Sequence, residues 1–185
     1  TDYDLIVSLL DLQVVNDVPG TMTRMRRLLR PDGFFVAAVL GGRSLTELRG
    51  AWIAADSEFA GGAFARVAPF MDVRDAGSLL QRAGFALPVS DTDTHTIRYA
   101  DPLRLMAELK SLGAANPMRE KPARPVTRAQ IAAALSAYPT DADGRISATL
   151  EIIWMSGWAP DDSQQKPLRP GSAKMSLAEA LKVKD

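Results

Sequence analysis

Asp91, Asp93 and His95, the last the only histidine in the chain, recur at every second position. Asp91 and Asp93 flank Thr92 at a turn that leads into an extended run, and alternation along such a run would bring all three to one face. One histidine and two aspartates would suit a non-haem iron triad by composition, or an acid–base pair. The run falls late in the chain, away from the end of a sheet at which ligands bind. The expectation is therefore a solvent-facing polar edge and no metal. The absence of cysteine excludes thiolate metal sites, disulfide frameworks and cysteine nucleophiles. Gly41-Gly42 is not a phosphate loop, because no Lys-Ser/Thr follows at the required spacing. Arg24, Arg26, Arg27 and Arg30 form a solvated helix face. Lys+Arg and Asp+Glu both number 22, so no net field draws nucleic acid or an anionic membrane surface.

The elements that would position these groups follow from periodicity and breakers. Leu5 to Leu10 is short, apolar and partly β-branched, as in a parallel strand buried on both faces. Asn16-Asp17 with Pro19 starts a helix carrying Met22, Met25, Leu28 and Leu29, and Pro31-Asp32-Gly33 breaks it. Phe34 to Leu40 is a second buried strand, ended by Gly41-Gly42, so a right-handed βαβ unit is expected. Further helices are expected from Ser44 to about Ser57, from Asp72 or Asp75 to Ala83, over Pro102–Leu112 and over Ile131–Tyr138. Phe85–Val89 with Thr94–Tyr99 reads as a bent strand, and Ile146–Trp158 as the last strand. Residues 113–130 read as an exposed loop, and the last dozen residues as weakly helical. Trp52, Trp154 and Trp158 are expected in the core or at its rim.

The chain of 185 residues, 46% hydrophobic, can form one domain with a sizeable core. No stretch approaches the ~20 apolar residues of a membrane span, and no signal-peptide pattern opens the chain. A cytoplasmic protein without membrane insertion is expected. The order β-α-β-α-α-β-α-α-β suits the second half of a doubly wound sheet, whose ligands sit at the carboxyl ends of the strands. A buried strand lying immediately after Thr1 lacks sheet neighbours. An unpaired apolar edge along residues 4–10 is expected, with its natural neighbours in sequence not present here.

The run Tyr3 to Leu12, followed by Asn16-Asp17 and Pro19, resembles the fourth strand and following helix of class I S-adenosylmethionine-dependent methyltransferases. Leu29 to Gly33 resembles the turn into their fifth strand. Gly41-Gly42, Leu45, Glu47-Leu48-Arg49, Glu58, Gly61-Gly62, Pro69-Phe70, Asp75, Ala83-Gly84-Phe85, Asn116 and Gly157-Trp158 are similar to mitochondrial complex I assembly factor 5 and its bacterial homologues. That family commonly has His-Trp where Gln13-Val14 stands here. Its glycine-rich cofactor loop and acidic ribose-binding residue precede the fourth strand and are absent from this sequence.

The resemblance implies the C-terminal half of a class I methyltransferase (Rossmann-like) sheet, with a helical insertion at residues 113–145 before the last strand. Residues 1–159 would be the partial domain and 160–185 a tail. S-adenosylmethionine is the implied cofactor, with Ser8, Leu9 and Leu10 at the end of the fourth strand as its contacts. Gln13 is either a residue lining the acceptor pocket or a solvated helix-start residue, and Arg49 either a carboxylate clamp or an ordinary exposed helix arginine with a Glu partner. Methyl transfer needs alignment and exclusion of water more than a strong acid or base, so no catalytic residue is assigned. The implied function is methyl transfer, or arginine hydroxylation of a respiratory-chain protein substrate in complex I assembly. A non-catalytic assembly module and a carrier-protein carboxyl methyltransferase of biotin synthesis are the alternatives.

Overall fold

The apolar run after the first residues forms strand β1 (Tyr3–Leu9), which pairs in parallel with β2 (Leu29–Leu40) in the computed structural model of the chain. The structure describes residues 3–59, 61–114, 116, 118, 125–166 and 171–172. The expected helix between the two strands is α1 (Val18–Leu28), with Asp17 accepting the Gly20 amide at its start. A single 3₁₀ turn, Leu12–Val14, precedes it and escaped the sequence reading. The break expected at Pro31-Asp32-Gly33 lies inside β2 rather than before it. Asp32 takes a left-handed φ of 57° there, and the β1–β2 register shifts between Tyr3 and Leu5.

Helix α2 (Thr46–Phe59) and the acid-capped helix α3 (Val73–Arg82) follow. The third strand, β3 (Ala86–Tyr99), is continuous. Its expected bend is displaced to Leu87, where φ is 48° and the pairing register breaks. Asp91-Thr92-Asp93 is consequently strand and not turn: each residue pairs with β4. Helix α4 (Pro102–Ser111) is capped by Asp101. Helix α5 (Arg128–Ala137) starts three residues earlier than expected, because Thr127 and Gln130 close a reciprocal capping box. The last strand, β4 (Ile146–Trp158), lies antiparallel between β2 and β3, giving the sheet order β1-β2-β4-β3. The last dozen residues, expected to be weakly helical, lie outside the described residues.

Alternation along the strands gives the sheet two unlike faces. Phe35, Ala37, Val39, Ile153 and Met155 point to one face and pack with Met22 of α1 and Ala76 and Leu80 of α3. Each large side chain fully buried there contributes about 1.5–3 kcal/mol. On the other face, Leu48 and Ala51 of α2, Leu105 of α4, and Tyr138 cover Ile146 and Ala148 at the start of β4. That cover ends before β1. Leu5, Val7 and Leu9 pair with Phe34, Val36 and Ala38 on this second face, and the three β1 residues are exposed. The expected apolar edge is thus observed: among the described residues β1 has a partner strand on one side only.

Candidate functional site

The two parallel strands end together. Past Leu9 the backbone turns at Leu10, whose φ is 54° and whose amide still donates to the Ala38 carbonyl, 2.8 Å. Leu12, fully buried, pins the 3₁₀ turn, and the Gln13 amide nitrogen donates back to the Leu10 carbonyl. Gln13 is thereby fixed at the mouth of the β1 end.

β2 ends at Gly41, where only glycine fits: a Cβ would stand 2.3 Å from a Glu151 carboxylate oxygen. Buried Glu151 of β4 ties the turn down. Its carboxylate accepts the Arg43 amide at 3.1 Å, and its backbone exchanges two 3.0 Å bonds with the Ser44 hydroxyl. Glu47, in the first turn of α2, accepts from the amide and hydroxyl of Thr149. These bonds join the start of α2 and the turn before it to β4. They leave Arg49 leaning back over the turn, donating to the Gly42 and Ser44 carbonyls at 3.3 Å each.

The opposite wall is the segment 61–72, held by a buried ion pair. Asp56 of α2 is 0% exposed, and Arg66 binds it with two bonds of 2.7 and 2.6 Å. Gln130 of α5 donates to the same carboxylate at 3.4 Å. The Arg66 guanidinium lies 4.8 Å from the Trp52 ring centre, within cation–π range. Asn116 donates to the carbonyls of Ala65 and Arg66. Three stretches, α2, the 61–72 segment and α5, thus meet at one carboxylate.

Three hollows that share lining residues lie between these walls among the described residues. A cavity of about 130 Å³ is bounded by Gln13, Leu48, Arg66, Phe70 and Asn116. A groove of about 530 Å³ runs past Arg49, Ile53, Phe64 and Phe70. A third hollow of about 580 Å³ lies against Gln13, Val15, Pro69 and Met118.

Gln13 and Arg49 therefore both line this system, at its two ends. Ser8, Leu9 and Leu10 sit at the adjacent strand end without lining it. Ser8 is 6% exposed and its hydroxyl has no partner among the described residues, whereas Leu9 and Leu10 are 61% and 49% exposed. Asp93 and His95 do share a face and pair at 3.1 Å, but they are half-exposed on the outer strand β3. Among the described residues no group of three or more His, Asp or Glu is arranged to hold a metal ion. The sequence reading missed Asp56, Arg66 and Asn116 as wall residues. Asp56 lies on α2 and Arg66 in the loop beyond it, so no helix or strand period relates the two.

The architecture is the class I methyltransferase fold. The YcgJ protein of Bacillus subtilis matches it with a TM-score of 0.53 at 11% identity, over 86% of this chain and 65% of that one. In sequence the chain resembles the arginine-hydroxylase NDUFAF5, mitochondrial, of Danio rerio, 35% identical over 98% of this chain and 57% of the relative. The Mus musculus protein of the same name is 39% identical over 99% of this chain and 54% of the relative. The malonyl-[acyl-carrier protein] O-methyltransferase of Halorhodospira halophila is 32% identical over 95% of this chain and 58% of the relative. The chain spans about half the length of the curated relatives it matches. No family model matches the chain.

Proposed function

We infer that the chain forms the acceptor side of an S-adenosylmethionine-dependent methyltransferase-like enzyme. The observation that carries this reading is the groove at the carboxyl ends of β1 and β2, bounded by Gln13 and Arg49. Ligands of doubly wound sheets bind at that position. Residues 1–159 are then the partial domain and 113–145 its insertion.

Ser8 fits a cofactor contact. Its hydroxyl is buried and unpartnered, an expensive state for a polar group that a ligand atom would relieve. Leu9 and Leu10, exposed at the strand end, would cover the cofactor's apolar atoms. S-adenosylmethionine supplies an electrophilic methyl group when bound. The residues of this chain would position the acceptor and exclude water, which suffices for a displacement governed by alignment. Relatives named arginine-hydroxylase leave hydroxylation of a respiratory-chain protein as one outcome. The relative named malonyl-[acyl-carrier protein] O-methyltransferase makes carboxyl methylation the other. No helix among the described residues is long and apolar enough to cross a membrane. Several relatives are named mitochondrial.

Isothermal titration of S-adenosylmethionine, against this chain and any longer protein that contains it, tests the proposal. Binding is expected, and Ser8→Ala should weaken it about tenfold, as for loss of one well-placed hydrogen bond. No binding by either protein would leave a non-catalytic assembly module as the better account.

A further inference from the structure

Among the described residues the sheet ends in two free edges, β1 and β3, and they differ in what they offer a neighbouring strand. β1 is only seven residues long. β3 runs for 14 residues, and Asp91 to Arg98 are exposed without interruption, so both faces of this stretch lie open. Its pairing with β4 keeps one register from Val89 to Tyr99. That pairing satisfies one side of the strand, while the other side presents a row of N–H and C=O groups ready for a further strand. Proline, lysine and bulges are common guards of such an edge, and none occurs between Val89 and Tyr99.

The side chains state which strand fits. Asp91, Asp93, His95 and Ile97 share one face of β3, and Thr92, Thr94, Thr96 and Arg98 share the other. Residues directly opposite each other in an antiparallel pair lie on a common face. Two copies of this strand placed about a two-fold axis at Thr94 therefore set Asp93 against His95 of the second copy, and His95 against its Asp93. The same axis sets Thr94 against Thr94, Thr92 against Thr96, and Ser90 against Arg98. Carboxylate–imidazole and Thr–Thr pairs are favourable partners across strands. Neighbouring registers lack this match. An axis at Asp93 opposes two carboxylates, and one at His95 opposes two imidazoles and leaves both aspartates without a cation. Within one copy Asp93 and His95 meet at 3.1 Å and are half-exposed, so both groups are within reach of a strand added at this edge.

We propose that β3 is a self-association edge, at which two copies of this chain pair antiparallel about a two-fold axis at Thr94 and join their four-stranded sheets. The contact is isologous, so it closes at two copies and leaves no β3 edge for a third. It lies at the other edge of the sheet from β1 and needs nothing of the methyl-transfer reading.

Sedimentation velocity over about 5 to 500 µM should show monomer passing to dimer, as befits a small and transient interface. Thr94→Lys sets like charges against each other on the axis and should weaken association about tenfold or more. Thr94→Glu should do the same. An equimolar mixture of the two variants should associate as tightly as wild type, because unlike charges then meet on the axis. Val7→Lys, at the β1 edge, should leave the dimer unchanged. Hydrogen exchange reads the edge on the wild type without any substitution: amides between Ser90 and Arg98 should exchange more slowly as protein concentration rises. A wild type that stays monomeric, exchange that ignores concentration, or a dimer indifferent to Thr94→Lys would overturn the proposal. So would a mixture of variants that does not recover, or a dimer lost in Val7→Lys.

Discussion

Two of the carboxylate–arginine groups among the described residues differ in burial, and they do different work. At the groove end, Asp56 is fully buried, Arg66 reaches it from a loop, and Gln130 and Trp52 enclose the pair. At the outer edge, Arg98 of β3 meets Asp141 and Asp143 from the turn before β4 at 3.2 and 2.7 Å, and all three side chains are more than 40% exposed. Water screens the second cluster and is excluded from the first. Burial thus separates a pair on which the wall of a site depends from one that dresses a turn.

The sharpest way to break the comparison is to remove one member of the buried pair. Arg66→Met leaves the Asp56 carboxylate in the interior with only the distant Gln130 amide, and about 3–5 kcal/mol of stability should be lost. Urea denaturation of wild type and variant reads this directly. A loss comparable to that of a surface substitution would show that Asp56 is reached by water and that the wall is held by packing alone.

Gly41→Ala comes next, at the same end of the sheet but without a change of charge. The new methyl would meet Glu151 atoms at 2.3 to 2.8 Å, and the carboxylate holding the Arg43 amide must move aside. About 1–3 kcal/mol should be lost, the range for overpacking. Because the displaced carboxylate fixes the turn beneath Arg49, any binding in the groove should weaken with it. A variant as stable as wild type would mean that the turn is not clamped.

How much of this contrast could be read from residues alone depends on the kind of signal. β1, α1 and β2 were legible because apolar runs and an Asp cap with a following proline are local signals, whereas Pro31-Asp32-Gly33, expected to break the helix, lies inside β2. The placement of Gln13 and Arg49 past the carboxyl ends of β1 and β2 followed, since the order of the elements fixes which end of the strands each residue lies beyond. β3 was half legible. From Ser90 to Thr96 it is polar on both sides, and it is a strand only because β4 offers it a partner. The Asp56–Arg66 pair was not legible, because its partners meet through a loop whose path no periodicity describes. The same holds for the capping box of α5, whose Gln130 doubles as a ligand of Asp56.

A smaller effect tests the exposed edge of β1. Val7 is 51% exposed on the uncovered face, beside the free hydrogen-bonding edge. Val7→Lys should leave folding stability within about 0.5 kcal/mol, as surface substitutions do. It should nevertheless lower the rate of aggregation on stirring at constant temperature, because an edge charge blocks strand addition. Unchanged aggregation would locate the sticky surface elsewhere, at Trp154 or Val89 on the same face.

The smallest effect belongs to the outer cluster and has a definite sign. Arg98 donates to Asp143 and holds its carboxyl below the ordinary value of 3.8, with the Arg145 amide assisting. A depressed folded-state value means that the unfolded chain binds this proton more readily. The resulting stabilisation is fully present above the ordinary value and is lost as pH falls through the lower, folded one. Asp143→Asn should therefore cost a little stability near neutral pH, and the cost should shrink as pH falls below the carboxyl's ordinary value of 3.8. Thermal melts of the two proteins across that range check it. The gap should shrink further in high salt, since the pair is open to solvent. A gap that persisted in acid would mean that Asp143 acts through the geometry of its turn and not through charge, and the two clusters would then differ in kind as well as in burial.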